Sequence, residues 1–213
     1  LEHDEVVTFF HEFGHLVHGI LGGAQRRARF SGIQTEWDFV EAPSQLLEEW
    51  AWDAEALAAF AVNDAGEAIP ADLVARMRTA DAFGRALEVT RQLGHATTSY
   101  RLHVDRPHDL ATAVEGYYRA ASPVAPLDGS HSYAGFGHLT GYGACYYTYQ
   151  WSLVIARDLL SAFGDDLFDV DTATRYRREI LEPGGIRDAD ELVEAFLGRA
   201  SRFDAYRDWL AGS

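Results

Sequence analysis

Glu5-Val6-Val7-Thr8-Phe9-Phe10-His11-Glu12-Phe13-Gly14-His15-Leu16-Val17-His18-Gly19-Ile20-Leu21 is the stretch on which the fold turns. Its apolar residues Val6, Phe9, Phe10, Phe13, Leu16, Val17 and Ile20 recur at three- and four-residue intervals, which predicts an amphipathic helix ended by Gly22-Gly23. Within that helix His11-Glu12-Phe13-Gly14-His15 forms an HExxH pattern. Residues four apart share a helix face, with Cβ atoms roughly 6 Å apart. Two imidazoles so placed can reach one zinc ion at about 2.0–2.1 Å each. Glu12, one position on, projects beside that ion, where a carboxylate can take a proton from water. The plain alternative is two surface histidines on an ordinary helix. Gly14 argues against it: glycine inside a helix costs about 1 kcal/mol against alanine. Its presence implies a close approach by substrate or another backbone.

The rest of the chain reads as helical too. A second helix opens at Pro43-Ser44 and runs to about Val62; a third opens at Pro70; a long fourth covers Ala80 to His103. Further helices are predicted for His108–Tyr118, Ala144–Phe163, Asp171–Leu181, Asp188–Leu197 and Phe203–Leu210. Residues 120–143 form a loop rich in Ser, Pro and Gly. Ala28-Arg29-Phe30 and Trp37-Asp38-Phe39-Val40 are candidates for short extended pieces. The class is therefore mainly α, with little or minimal β-structure.

Composition narrows the possible functions. The 213 residues suffice for one core-bearing domain, 1–213. With 47% hydrophobic and 24% charged residues the balance is that of a globular chain. Eighteen basic against 33 acidic side chains give a net charge of −15, which disfavours nucleic acid and anionic membranes as partners and favours metal ions and basic peptides. Cys145 is alone, so no internal disulfide forms. No apolar run reaches transmembrane length, and Leu1–Glu5 lacks the basic start and apolar core of a signal peptide. A cytoplasmic location is the expectation.

A catalytic zinc ordinarily takes a third protein ligand and keeps one position open. His18, Glu36, Asp38 and Glu41 are candidates. His18 points away from the centre of the histidine pair and reads as packing or outer support. Asp38 reads as a carboxylate that fixes a ligand imidazole, or as a solvated acid. Glu41 precedes a helix start and leads only modestly. His95, His103, His108 and His131 lack ligand spacing. Tyr142, Tyr146 and Tyr149 make one stripe if helical; Tyr147 falls off it and is expected in the core. Cys145 reads as a small buried residue, and Asp165, Asp166, Asp169 and Asp171 as a solvated helix cap rather than a calcium loop.

Four blocks, "HDEVVTFFHEFGHLVH", "FSG…DFVEAPSQLLEEWAW", "FGHLTGYGACYYTYQWS" and "LEPGG…FLGR", occur in order across residues 1–202. Together they resemble the catalytic part of the thimet oligopeptidase family of zinc metallopeptidases. The resemblance implies that zinc, one ion per chain, is held by His11, His15 and Glu41, and that Glu12 is the general base. It implies that His138, Tyr142 and Tyr149 contact the substrate or stabilise its oxyanion, and that Tyr146 lines the site. The implied reaction is hydrolysis of internal peptide bonds of oligopeptides, without a covalent intermediate. The pliable glycines Gly135, Gly137, Gly141 and Gly143 suit a loop that closes on substrate.

The sequence departs from the family's pattern in two places. The loop from His15 to Glu41 is about one residue longer, and Thr140-Gly141 stands where a double glycine is usual, shortening the distance from His138 to Tyr142. Members also carry a long helical region ahead of the metal motif, which walls a narrow channel. Without that wall the cleft is expected to be open, to unfolded protein as well as peptides. The competing readings are an inactive metal-binding fragment, and a zinc carboxypeptidase with the same helix motif. Against the first stands the intact set of implied metal residues; against the second stand the "FVEAPSQ" and tyrosine blocks.

Overall fold

The computed structural model describes residues 1–124 and 126–212. Its helices are α1 (His3–Leu21), α2 (Ala42–Leu47), α3 (Ala54–Ala58), α4 (Ala71–Ala82), α5 (Arg85–Asp105), α6 (Leu110–Ala121), α7 (His138–Gly141), α8 (Thr148–Leu160), α9 (Val170–Tyr176), α10 (Ala189–Leu197) and α11 (Asp204–Ala211). Among the described residues, strand-like pairing is limited to an isolated bridge between Val62 and Ala68. The fold is mainly α. The chain divides into two compact units: Leu1–Phe83 with the stretch from Ser152 onward, and Gly84–Trp151.

In the first unit α1 begins where the Glu5 carboxylate accepts the Glu2 backbone N–H at 2.8 Å, one half of a capping box. Asp4 and Glu5 also place negative charge at the positive end of the helix. The buried face of α1 is narrow and carries Gly14 and His18. A Cβ on Gly14 would stand 2.6 Å from the Ser44 Cα and 3.2 Å from the Pro43 oxygen. The close approach expected at Gly14 is thus made by the backbone of α2. The aromatic and aliphatic stripe read as the packing face remains partly open: Phe9, Phe13, Leu16 and Ile20 are 45–67% exposed.

The core of this unit gathers Phe39, Ala42 and Leu46 with Ile155, Leu159 and Phe163 of α8 and its C-terminal end, Ile180 and Leu181, and Leu192, Val193 and Phe196 of α10. The helix expected from Pro43 to Val62 is broken. A 3-10 segment, Glu48–Trp52, follows α2, and Asp53 then adopts an extended conformation and caps α3, its side chain accepting the Ala56 N–H at 2.8 Å. An Asp at a non-helical position offers its carboxylate to orphan N–H groups, which favours a new helix start over continuation. The two expected extended pieces are tight turns instead. Ala28–Phe30 is a 3-10 turn, and Phe39 and Val40 donate to the Glu36 oxygen at 3.1 and 3.0 Å.

The long connection between α1 and α2 is pinned. Gly32 N–H donates to the Gly22 oxygen at 2.9 Å, Gly185 N–H to the Phe30 oxygen at 2.9 Å, and Gln25 Nε2 to the Glu182 oxygen at 2.6 Å. Gly184 and Gly185 permit this, since side chains there would strike the Phe30 and Gln34 oxygens. The Asp expected to cap is Asp169, whose carboxylate accepts the Thr172 N–H at 2.8 Å ahead of α9.

In the second unit α5 and α6 pack closely because Gly94 has no side chain. A Cβ there would lie 2.6 Å from Cδ1 of Tyr118. Ser99 Oγ donates to the Gly143 oxygen at 3.0 Å, tying the glycine-rich loop to α5. Gly143 sits at φ +55°, a left-handed conformation that glycine adopts without penalty.

Candidate metal centre

Helix α1 carries His11 and His15 one turn apart on one face, and their ring centroids are 4.9 Å apart. Glu41 closes the group from the turn ahead of α2. Its flanking residues Phe39 and Ala42 are fully buried, and Ser152 Oγ holds the Asp38 oxygen at 2.8 Å, so the turn is anchored on both sides. Ser44 fixes the carboxylate itself, donating to the Glu41 backbone oxygen at 2.9 Å and to Oε2 at 3.2 Å.

The three side chains converge on one point. Glu41 Oε2 lies 3.2 Å from His11 Nε2 and 3.1 Å from His15 Nε2, and ligand atoms from all three lie within 4.8 Å of one another. In a tetrahedral site with bonds of 2.0–2.1 Å, neighbouring ligand atoms stand about 3.3 Å apart. The spacing here fits that geometry, and two imidazoles with one carboxylate are a donor set suited to zinc.

A fourth side chain, Glu48, was not among the sequence candidates. His11 Nδ1 lies 2.7 Å from Glu48 Oε1, which orients the imidazole so that Nε2 faces Glu41. The sequence reading gave this kind of role to Asp38. The partner of Glu48 lies 37 residues away on α1, so no local spacing marked it. His15 Nδ1, by contrast, is buried with no hydrogen-bond partner among the described residues.

The electrostatics reflect this crowding. Burial pulls the His11 imidazole down, but its hydrogen bonds to Glu41 and Glu48 outweigh that and raise its pKa to about 9. Burial pushes Glu41 up, and its hydrogen bonds from His11 and His15 outweigh that and lower it to about 2. A metal ion in this place would take over the position of those shared protons. His18 is fully buried and its two ring nitrogens have no hydrogen-bond partner among the described residues; burial holds it near pKa 4, so it is neutral packing. Glu36 is occupied elsewhere, accepting the Ala189 N–H at 2.9 Å at the start of α10. Glu12 is exposed on α1 beside the ligand pair.

In the second unit the residues singled out in the tyrosine block gather around His138. Its ring lies 5.2 Å from Tyr142, 4.9 Å from Tyr146 and 5.7 Å from Tyr149, and Nε2 is 3.1 Å from the Tyr149 hydroxyl. The continuous helical stripe does not form: α7 ends at Gly141, turns follow, and α8 starts at Thr148. Tyr147 is 44% exposed rather than in the core, because it falls in the turn before α8. His95, read as ordinary, belongs to this cluster. It contacts Phe136 and Tyr146 and shares a short hydrogen bond with Tyr118, while the Tyr146 hydroxyl donates to Gln92 at 2.9 Å. No sequence signal marked His95, because its partner is 23 residues away on another helix.

The sequence pattern of peptidase family M3 matches residues 1–211. The chain belongs to peptidase family M3. It is 38% identical to "Oligopeptidase A" of Salmonella typhimurium over 95% of its own length and 31% of that protein. It is 35% identical to "Dipeptidyl carboxypeptidase" of the same organism, over 94% of its length and 31% of that protein. To "Saccharolysin" of Saccharomyces cerevisiae it is 32% identical, over 97% of its length and 30% of that protein. The chain thus spans about a third of these family members. Among the described residues no helix is long and apolar enough to cross a membrane.

Proposed function

We propose that this chain is the zinc-binding catalytic part of a metallopeptidase that hydrolyses internal peptide bonds of oligopeptides. The observation that carries the proposal is the convergence of His11 Nε2 and His15 Nε2 on Glu41 Oε2. A zinc ion held there supplies Lewis-acid polarisation of a carbonyl and makes water acidic enough to be a nucleophile near neutral pH.

The remaining steps belong to side chains. Glu48 keeps the His11 ring turned towards the other ligands. Glu12 takes the proton of the attacking water and passes it to the leaving amine, so one carboxylate acts as base and then as acid. His138, Tyr142 or Tyr149 donates a hydrogen bond to the oxyanion formed as water adds to the amide, and Tyr146, His138 and Tyr142 bind substrate; these roles rest on the resemblance of the tyrosine block. Phenol and imidazole N–H groups fit that task because they offer donors where negative charge develops. No covalent link between chain and substrate forms.

The test is hydrolysis of internally quenched peptides of graded length, with Glu12→Gln in parallel. Metal-dependent cleavage should fall by about 10²–10⁴-fold in Glu12→Gln while bound zinc is retained. Zinc retained by both proteins with no peptide cleaved by the parent would overturn the proposal.

A further inference from the structure

The charge of this chain is distributed unevenly. The molecule is strongly acidic, yet no Asp or Glu occurs between Glu12 and Glu36, and Arg26, Arg27 and Arg29 fall inside that gap. All three are exposed. Arginines elsewhere mostly pair with carboxylates: Arg101 with Asp105, Arg119 with Glu115, Arg177 with Glu182, Arg187 with Glu179 and Arg199 with Asp158. Among the described residues none of the three loop arginines has such a partner. Three exposed guanidinium groups without a carboxylate partner put positive charge on one short segment of an acidic protein.

The segment is held in place. Gln25 is bonded to the Glu182 oxygen at 2.6 Å, Phe30 accepts the Gly185 N–H at 2.9 Å, and Ala28–Phe30 is wound into a 3-10 turn. The Arg29 guanidinium lies 4.9 Å above the Phe30 ring, which fixes its direction by a cation–π contact. A guanidinium held as Arg29 is loses less entropy on meeting a carboxylate than a free one. The segment also follows directly from the metal-binding helix. Leu21 lies six residues after His15, about 9 Å along α1, and Gln25 comes four residues later.

We propose that Arg26, Arg27 and Arg29 form a secondary binding site for an acidic stretch of the peptide substrate. The inference rests on the peptidase reading of the His11, His15 and Glu41 group. An extended peptide rises about 3.3–3.6 Å per residue, so the acidic residues belong roughly three to six positions from the bond that is cut. A peptide fits better than a nucleic acid, since a long polyanion would also meet the acidic remainder of the molecule.

The experiment compares two internally quenched peptides, identical around the cleaved bond, one neutral and one carrying Asp and Glu at the distal positions on either side. The parent should show a KM about tenfold lower for the acidic peptide at low ionic strength, a gap that closes as salt rises. The triple variant Arg26→Gln, Arg27→Gln, Arg29→Gln should lose the preference, with kcat and KM for the neutral peptide unchanged. The Arg→Glu triple variant should instead favour a Lys-bearing peptide. Equal KM values in the parent, or an acidic preference that survives in the Gln triple variant, would overturn the inference. If no peptide is cleaved, the peptidase reading fails separately. Fluorescence anisotropy of the labelled acidic peptide on the parent then decides the arginine site: salt-sensitive binding lost in the Gln triple variant supports it. No binding, or tighter binding of a single-stranded oligonucleotide, overturns it.

Discussion

At the scale of single residues, Glu48 and His18 show two uses of the space around the ligand pair. Glu48 Oε1 lies 2.7 Å from His11 Nδ1 and holds the direction of that ring. Replacing it by Gln should weaken zinc binding by about 10–100-fold, measured by competition with a chromophoric chelator. An unchanged affinity would mean that the contact does not orient the ligand. The His18 ring is buried without a hydrogen-bond partner among the described residues, and its pKa is depressed from 6.5 to about 4. Between those values the unfolded chain binds a proton that the folded chain refuses. Stability from this residue is therefore complete above pH 6.5 and is lost as pH falls towards 4, by up to roughly 3 kcal/mol. In His18→Leu that part of the pH dependence should vanish, read as the difference between the two proteins in urea unfolding across pH 4–7. Most of the candidate metal group was legible in sequence: the four-residue helical spacing points to His11 and His15, and the resemblance carried by the "FVEAPSQ" block points to Glu41, and the three side chains converge. Glu48 and His95 were not legible. Each acts through a partner distant in sequence, His11 for one and Tyr118 for the other, and only the fold brings them together.

At the scale of elements, the crossing of α1 over the start of α2 sets the distance between the histidines and Glu41. Gly14 makes that crossing possible, since a Cβ there would lie 2.6 Å from backbone Cα of Ser44. Backbone has no rotamer to move aside, so Gly14→Ala should cost about 1–3 kcal/mol through overpacking and weaken zinc binding together with stability. Destabilisation with zinc affinity intact would show that the helix crossing does not set the ligand spacing. The sequence marked this glycine as a point of close approach but left open whether substrate or backbone came near. It also identified most of the helices, from periodicity and from Pro43 and Pro70, but read residues 120–143 as loop, where α7 forms, and ran Ala80 to His103 together across the break between α4 and α5. It misread the helix from Pro43 onward as continuous, because apolar periodicity persists through Leu57 while Asp53, a capping residue, interrupts the backbone hydrogen bonding. It misread Ala28–Phe30 and Trp37–Val40 as extended because short apolar runs carry little information about period; the hydrogen bonds back to Arg27, Ala28 and Glu36 decide for turns.

At the scale of the whole molecule, the C-terminal segment is locked to α8 by one buried charge. Asp158 is 2% exposed and takes both Arg199 guanidinium nitrogens, at 2.8 and 2.7 Å, together with the Arg202 N–H at 2.7 Å. Arg199→Met should cost about 2–4 kcal/mol, because a carboxylate left buried without its partner is expensive, less the hydration Arg199 already keeps. A loss well under 1 kcal/mol in urea unfolding would contradict that assignment. The acidic net charge of −15, the helical class and the family blocks were all readable from sequence; the division into two compact units was not, since no linker composition marks residues 83–84 or 151–152. The central claim is that His11, His15 and Glu41 form one zinc site. The most direct measurement is zinc content after dialysis against metal-free buffer, by atomic emission, for the parent and for His11→Ala, His15→Ala and Glu41→Ala, each shown to be folded by circular dichroism. The parent should keep close to one zinc per chain and each folded variant almost none. A parent that binds no zinc, or variants that keep it, would rule out a zinc site built from these three side chains.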